Sequence, residues 1–547
     1  MSSVIDEARR PGSRASTTVD PPPEAPTEPD ADTASRAASP LILSAVLVVA
    51  SVIAGYCIHA HAMWFDEVQA WNIARASHSV GSLYSNLRYE GHPILWYLPL
   101  FAISRFTADP RAMQVFEWAV LTCTYAVILF KAPFSIAVRT AIVAGYFVTF
   151  EYGVISRSYS VEMLLLVLAL VCLAQPKPAW GPTGVLLVLL AWTSMAGGVL
   201  VVAVGLTIGW CAWSERASRH TSRWWGKPLV VAAAGIVSAG IAAITCIPPA
   251  DYHSFALGIP NAPLSSFSPQ RFQVSLAGPW RGLFPLPAGI GRWNTNVLDQ
   301  LPQPTALQAL LGLSVVGAIA WAIRAHPFAL RLWLVGAAGY LVFSYVVVLP
   351  DRSHYAGEYF LLFLACVWCA AASPQVDPGP NVRATRRRSR VTLGAVVAVV
   401  LGAQVVAMVT MLPAQTQQEF APNRFLATTA ERHGLAHDVV SAQDFDAVTM
   451  SAYLERPVWS IARGADIAYF SNDETEARGY AHLTNAKIVC AAAEVARERS
   501  RPVALVTDRD LGRGQGRELL ATSHGVTLWR VVASASDGST CTATGEA

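Results

Sequence analysis

Long apolar runs recur between residues 41 and 412, and they decide the solvent in which this chain must fold. The first, 41–59, is about the length that crosses ~30 Å of hydrocarbon. Comparable runs lie near 112–130, 134–150, 161–174, 185–194, 197–213, 229–247, 305–323, 328–349, 359–372 and 391–412. Only 14% of the 547 residues are charged, where a soluble domain has about 25%. These features exclude an ordinary soluble globule. They predict a polytopic α-helical membrane protein with about eleven spans.

Basic residues orient those spans. The run 94–106 is apolar but short, and whether it crosses sets the parity of everything after it. If it does not cross, Lys131, Arg139, Lys177, the 216–227 loop, Arg324, Arg331 and the 383–390 loop all share one side. The opposite loops then carry few cations for their length. The positive-inside rule makes the basic side cytoplasmic, so 94–106 reads as an interfacial or re-entrant helix. Arg386, Arg387 and Arg388 then read as an orientation signal, not a nucleic-acid site. The same parity puts 64–97, 151–160, 248–304 and 350–358 outside, along with the chain after Leu412.

The two ends read differently. Residues 1–40 are rich in Pro, Ala, Ser, Thr, Asp and Glu with no repeating apolar face, as expected of a disordered cytoplasmic tail. The first apolar run begins too late for a cleaved signal. Residues 413–547 are expected to form a small soluble α/β domain outside the membrane. Within it 439–442, 457–461, 502–507 and 526–532 read as strands, and 446–454 and 487–499 as helices. The glycines at 512, 514 and 516 read as a loop, not a phosphate-binding turn. Of nine cysteines, only Cys490 and Cys541 lie in this region, as two free thiols or as one disulfide.

The stretch 64–97, WFDEVQAWNIARASHSVGSLYSNLRYEGHPILWY, collects charge among aromatic residues. If its start is helical, Trp64 and Trp71 share one face and Asp66 points away from it. Tryptophan favours the membrane–water boundary, so the pair would pin the helix there and turn Asp66 elsewhere. Asp66 and Glu67 are the candidate catalytic acids; the plain alternative is a solvated helix end. Arg157, in the 151–160 connection, suits phosphate through paired donors, or else snorkels to water as an interfacial anchor. Arg88, Glu90 and His92 precede Pro93, and Arg352, His354 and Glu358 gather at another outer junction. Each set reads as substrate-binding or as ordinary polar loop. Trp280, Arg281, Trp293 and Asn294 suit sugar stacking and interface anchoring equally. His59 and His61 lack a metal-ligand pattern.

Three segments, WFDEVQAW, RYEGHPILWYL and EYGVISRSYSVEML, together resemble the GT-C membrane glycosyltransferases. The likeness is to the bacterial relatives of the protein O-mannosyltransferases and to the lipid A aminoarabinose transferase. It covers the first third of the chain, and the remainder only through span count and an outer C-terminal domain. The resemblance implies a sugar donor on polyprenyl phosphate and transfer with inversion to an envelope glycan, lipid or protein. It places that reaction on the outer face of the cytoplasmic membrane. Carried over, Asp66 matches the general base, with Glu67 beside it. Arg157 matches an arginine associated with the donor phosphate, with Arg88 in reserve. By residue type and position, Glu90, His92, Glu162, Arg352 and His354 are the candidates for substrate binding. Glu162 stands where O-mannosyltransferases have Asp, and the lumenal sugar-binding repeats of their eukaryotic members are absent.

A lipid-phosphate leaving group needs positive charge more than it needs a proton. Arginine supplies that charge, so no cofactor is required; the sequence leaves a divalent metal open. The alternative class is a transporter or lipid flippase, with ionisable residues at mid-membrane and two related halves. Here the charges concentrate at one surface, and no internal repeat is evident.

Overall fold

The computed structural model describes residues 31–218, 226–250, 252, 267–347, 352–372, 380–417, 419–471, 483–512 and 514–533. Residues 1–30, 253–266, 350–351 and Cys541, on which parts of the sequence reading fall, lie outside these. Helix α1 (Ala31–Ala60) passes through Pro40 and so takes in 31–40, which the sequence assigns to the tail. Alanines there favour the helical path.

Helices α2 (Phe65–Ala76), α3 (Val80–Asn86) and α4 (Tyr97–Ile103) form a small layer at one end of the bundle. At seven residues, α4 is too short to cross. Its entry is fixed by Leu95 N–H bonding the Trp192 carbonyl at 3.1 Å. Just after it, Arg105 donates to the carbonyls of Ala74, Arg75 and Ser77 at 3.1, 2.8 and 2.9 Å. The guanidinium thereby satisfies orphan carbonyls at the C-terminus of α2.

Helix α5 (Arg111–Lys131) packs along α1. The run 134–150, expected as one span, breaks instead. Helix α6 (Ile136–Val143) ends at Ala144, and the chain resumes as a π-helix, Phe147–Val154. Thr149 explains the break: its hydroxyl donates to the Val143 carbonyl at 2.5 Å and pairs with Tyr125 OH at 2.7 Å. A hydroxyl takes the place of a backbone rung, and the wider turn follows. Gly153 allows this turn to touch α5, since a Cβ there would lie 2.7 Å from Leu121 Cδ2.

Next come α7 (Tyr159–Leu173), α8 (Trp180–Leu190), α9 (Met195–Ser218), α10 (Gly226–Thr245), α11 (Pro269–Leu283), α12 (Pro304–Ile323) and α13 (Pro327–Val346). They are followed by α14 (Ser353–Ala356), α15 (Glu358–Ala372) and α16 (Pro380–Gln417). Among the described residues, eight segments are long and apolar enough to cross a membrane: Pro40–Ala60, α5, Met195–Ser214, α10, α12, α13, Ser353–Ala372 and Val391–Pro413. The chain is a multi-pass membrane protein. Besides 134–150, the expected spans 161–174 and 185–194 fall short: α7 has 15 residues and α8 has 11. At ~1.5 Å per residue these lengths are below ~30 Å of hydrocarbon. Ser353–Ala372 is the hub, 83% buried, whereas the span in α1 is 28% buried. Helix α11, which apolar-run counting does not find, starts at Pro269 with Ser268 as its cap and lies against α12.

The C-terminal region holds α17 (Asn423–Arg432), β1 (Val439–Ser441), α18 (Asp444–Tyr453), β2 (Val458–Ser460), β3 (Ala465–Ile467), α19 (Asn485–Glu498), β4 (Val503–Thr507), β5 (Arg517–Ser523) and β6 (Val526–Val531). The sheet runs β3-β2-β1-β4-β6-β5, with β1 parallel to β2 and β4 and the outer pairs antiparallel. The anticipated strands and helices are present. Helix α17 and strands β3 and β5 are additional. Cys490 is disulfide-bonded.

This region is docked on α2. Gln69 and Phe470 exchange two hydrogen bonds, Nε2 to the carbonyl at 2.8 Å and backbone N–H to Oε1 at 2.9 Å. Phe65 stacks on Phe445 with centroids 4.1 Å apart. Asn72 donates to the Val448 carbonyl and to Ser451 Oγ at 3.0 and 2.9 Å. Trp71, expected at the membrane boundary, is fully buried instead, with Nε1 bonded to the Ala108 carbonyl at 3.2 Å. Both sides of α2 are covered, so its tryptophan packs.

Candidate active site

The first turn of α2 sets the site. Glu67 is wholly buried and accepts from three donors: His61 Nε2 at 2.8 Å, Trp64 N–H at 3.0 Å and Ser156 N–H at 2.8 Å. It ties the entry of α2 to the segment immediately before Arg157. With no surface left for a substrate, Glu67 positions its neighbour. Asp66 turns the other way and meets Arg157, Oδ2 to Nη2, at 3.2 Å. Side-chain exposure differs within the pair, at 33% for Asp66 and 10% for Arg157. The guanidinium lies over Tyr159 and Trp64, 5.2 and 5.9 Å from their centroids.

Glu151, on the π-helix, builds the adjoining wall. Its Oε2 accepts from Tyr146 OH and Trp293 Nε1, each at 2.8 Å, and its Oε1 from Ser353 Oγ at 3.1 Å. Trp293 meets Trp64 edge-on at 5.0 Å, and Asn294 Oδ1 accepts from Ser353 N–H at 2.6 Å. The 248–304 loop therefore reaches the cleft through Trp293 and Asn294. Arg281 is engaged elsewhere, with Asp299 at 2.6 Å.

The other sequence candidates divide. Glu90 lies within electrostatic reach of both Asp66 and Arg157 and accepts from Gln69 Nε2 at 2.7 Å. His92 feels Arg157 and has a buried Nδ1 with no hydrogen-bond partner. His354 is buried behind the wall, Nδ1 4.0 Å from Glu151. Arg352 is exposed at the rim, near enough to act on Asp66. Arg88 does not join them: it is exposed on the turn Leu87–Tyr89 and has no ion-pair partner among the described residues. Glu162 also points away, into the bundle, where Ser194 Oγ donates to it at 2.5 Å. A helix start explains both placements, since consecutive side chains fan around the axis. His61, Gln69 and Glu151 complete the site. Gln69, one turn beyond Asp66, carried a spacing signal.

The charges shift as the enclosure dictates. Burial raises the Asp66 carboxyl, Arg157 opposes, Glu67 reinforces and Arg352 opposes. Burial lifts Glu90 to about 7 against the Gln69 hydrogen bond, with Asp66 adding to the rise. Burial and then Arg157 depress His92 to about 4, so its ring is neutral at neutral pH. Among the described residues no three His, Cys, Asp or Glu side chains gather as a metal site.

An apolar groove of about 580 Å³ lies between α9, α10 and α13, lined by residues including Val202, Ile236, Ala239 and Phe343. Phe343 meets Tyr355 edge-on at 6.1 Å, and Tyr355 lies within electrostatic reach of Arg157 and Asp66. Phe343 and Tyr355 thus link the groove lining to the residues around the charged cleft. Compared with known family models and with curated proteins, the chain matches none.

Proposed function

We propose that the chain is an integral membrane glycosyltransferase moving a sugar from a polyprenyl-phosphate donor to an envelope glycan, lipid or protein, with inversion. The observation that carries this reading is the 3.2 Å contact between Arg157 and the partly open Asp66; an apolar groove lined by Phe343, which meets Tyr355, adds to it. On this reading the cleft end of the bundle and the C-terminal sheet lie outside the cytoplasmic membrane, and the N-terminus lies inside. The lipid tail occupies the groove and its phosphate meets Arg157.

As the acceptor oxygen bonds the anomeric carbon, its proton passes to Asp66. The bond from that carbon to the phosphate oxygen breaks, and its electron pair leaves with the lipid phosphate. The transition state has oxocarbenium character. General-base assistance supplies roughly 10²–10⁴-fold, and the raised Asp66 carboxyl is the better base for it. Arg157, held by two aromatic faces, stabilises the departing charge where water is scarce. Asp66→Asn should abolish transfer from a radiolabelled polyprenyl-phosphate sugar while the protein stays folded. Wild-type turnover in that variant ends the base assignment.

The second reading, a transporter or lipid flippase, draws on Glu117, Glu162 and Glu358, all wholly buried within helices of the bundle. Lipid or solute flux in proteoliposomes, with no sugar transfer, would favour it.

A further inference from the structure

Below the cleft lies a second polar site that the reaction does not use. Glu162 stands in the first turn of α7, five residues after Arg157, and Glu358 in the first turn of α15, four residues after His354. Both are 0% exposed. Each has one oxygen supplied with a donor: Ser194 Oγ to Glu162 Oε2 at 2.5 Å, and Tyr340 OH to Glu358 Oε2 at 3.1 Å. The Oε1 atom of each has no donor in the structure. The two carboxyl groups nevertheless lie within hydrogen-bonding reach of one another. No Lys, Arg or His pairs with either among the described residues.

We infer that Glu162 and Glu358 form a proton-binding site, in which one shared proton between the carboxyl groups ties α7 to α15. Two acceptors that face each other in a buried site need a hydrogen between them, and two like charges at that distance do not both ionise. One proton removes the repulsion and serves both orphan oxygens. The surroundings say where it resides. Ser194 caps α9, accepting from Gly197 N–H at 2.8 Å while donating to Glu162. Gly197 lets this helix start approach, since a Cβ there would be 3.0 Å from Glu162 Cδ. Each acid lies in the first turn of its own helix, and Glu162 faces the start of α9 as well; helix starts favour the anion, so Glu162 accepts and Glu358 donates. The hydroxyl donors aim hydrogens at the carboxyls, an arrangement suited to a proton and not to a metal cation. Loss of that proton sets two carboxylates against each other and loosens Arg157, just before α7, from His354 on α14, just before α15.

Infrared spectra of the full chain in lipid nanodiscs at neutral pH test this. The difference between wild type and Glu358→Gln should contain a protonated-carboxyl C=O band that shifts in D2O. The amide donates the same hydrogen bond, so the variant should fold. Thermal unfolding between about pH 6 and 9 adds a second reading, below the ordinary tyrosine range of ~10. That window excludes Tyr340, Tyr152 and Tyr159, the other titratable groups facing the pair. The wild-type midpoint should fall as pH rises, and E358Q should lose that component; Glu90 titrates in both proteins and cancels. If E358Q does not accumulate, Glu162→Gln is read in the same way. Absence of the carboxyl band from these differences overturns the proposal. So does a wild-type midpoint that rises with sodium or magnesium at fixed ionic strength, which would make a metal ion the occupant.

Discussion

Two acidic sites sit at the same end of the bundle, joined by the first turn of α7, and they are built on opposite rules. In the cleft, Asp66 faces a cation and keeps a third of its surface open. Beneath it, Glu162 faces another acid and keeps none. Opposite charges with an open side can exchange a partner, and so admit a ligand. Like charges sealed from water can only share a proton. Burial alone does not separate the two; the identity of the facing group and the presence of an opening do.

The sharpest way to break this comparison is to remove the support of one site alone. Glu67→Ala leaves His61, Trp64 N–H and Ser156 N–H without their acceptor and should cost on the order of 3–5 kcal/mol in unfolding measurements. The carboxyl band below should persist in whatever protein stays folded. Arg157→Ala should reduce transfer by about 10²–10³-fold while leaving the protonated-carboxyl band of the Glu162–Glu358 pair in place. Gln69→Leu strands the Phe470 N–H and removes the tie to Glu90, so unfolding should become easier by about 1–3 kcal/mol.

Smaller effects sharpen it further. Asp66 is active as the anion and its carboxyl is raised, so kcat/KM should climb as pH rises through that value. Asp66 and Glu90 repel each other, so Glu90→Gln should move this acid limb to lower pH by a fraction of a unit. Arg88→Ala, exposed and without an ion-pair partner among the described residues, should stay within about 0.5 kcal/mol in stability and leave transfer unaltered.

Much of this was legible in the sequence, and the gaps have physical causes. Apolar length finds eight membrane-length segments because hydrocarbon thickness is a strong constraint. It fails at 134–150, where one threonine hydroxyl diverts a backbone carbonyl, and at α11, where no long apolar run marks the helix. Residue type singled out Asp66 and Arg157, a carboxylate and a guanidinium among aromatics, which the structure brings to 3.2 Å of one another. It did not separate Asp66 from Glu67, because which neighbour turns inward depends on Ser156 and His61 in three dimensions. Glu162 misled for the same reason: its position after Arg157 was visible, but not Glu358 opposite it. Strand β5 is short of apolar residues because it is a half-exposed edge, with a register shift between Leu519 and Ala521.

The central claim is that Asp66 and Arg157 address one lipid-borne donor, and binding of sugar-free polyprenyl phosphate to the nanodisc-reconstituted full chain tests it most directly. Arg157→Ala should weaken that binding by roughly tenfold or more, as loss of a charge-assisted phosphate contact requires. Asp66→Asn should bind as well as wild type or better, because the carboxylate competing for the guanidinium is gone. Undiminished binding by R157A, or an equal loss in D66N, would contradict the account.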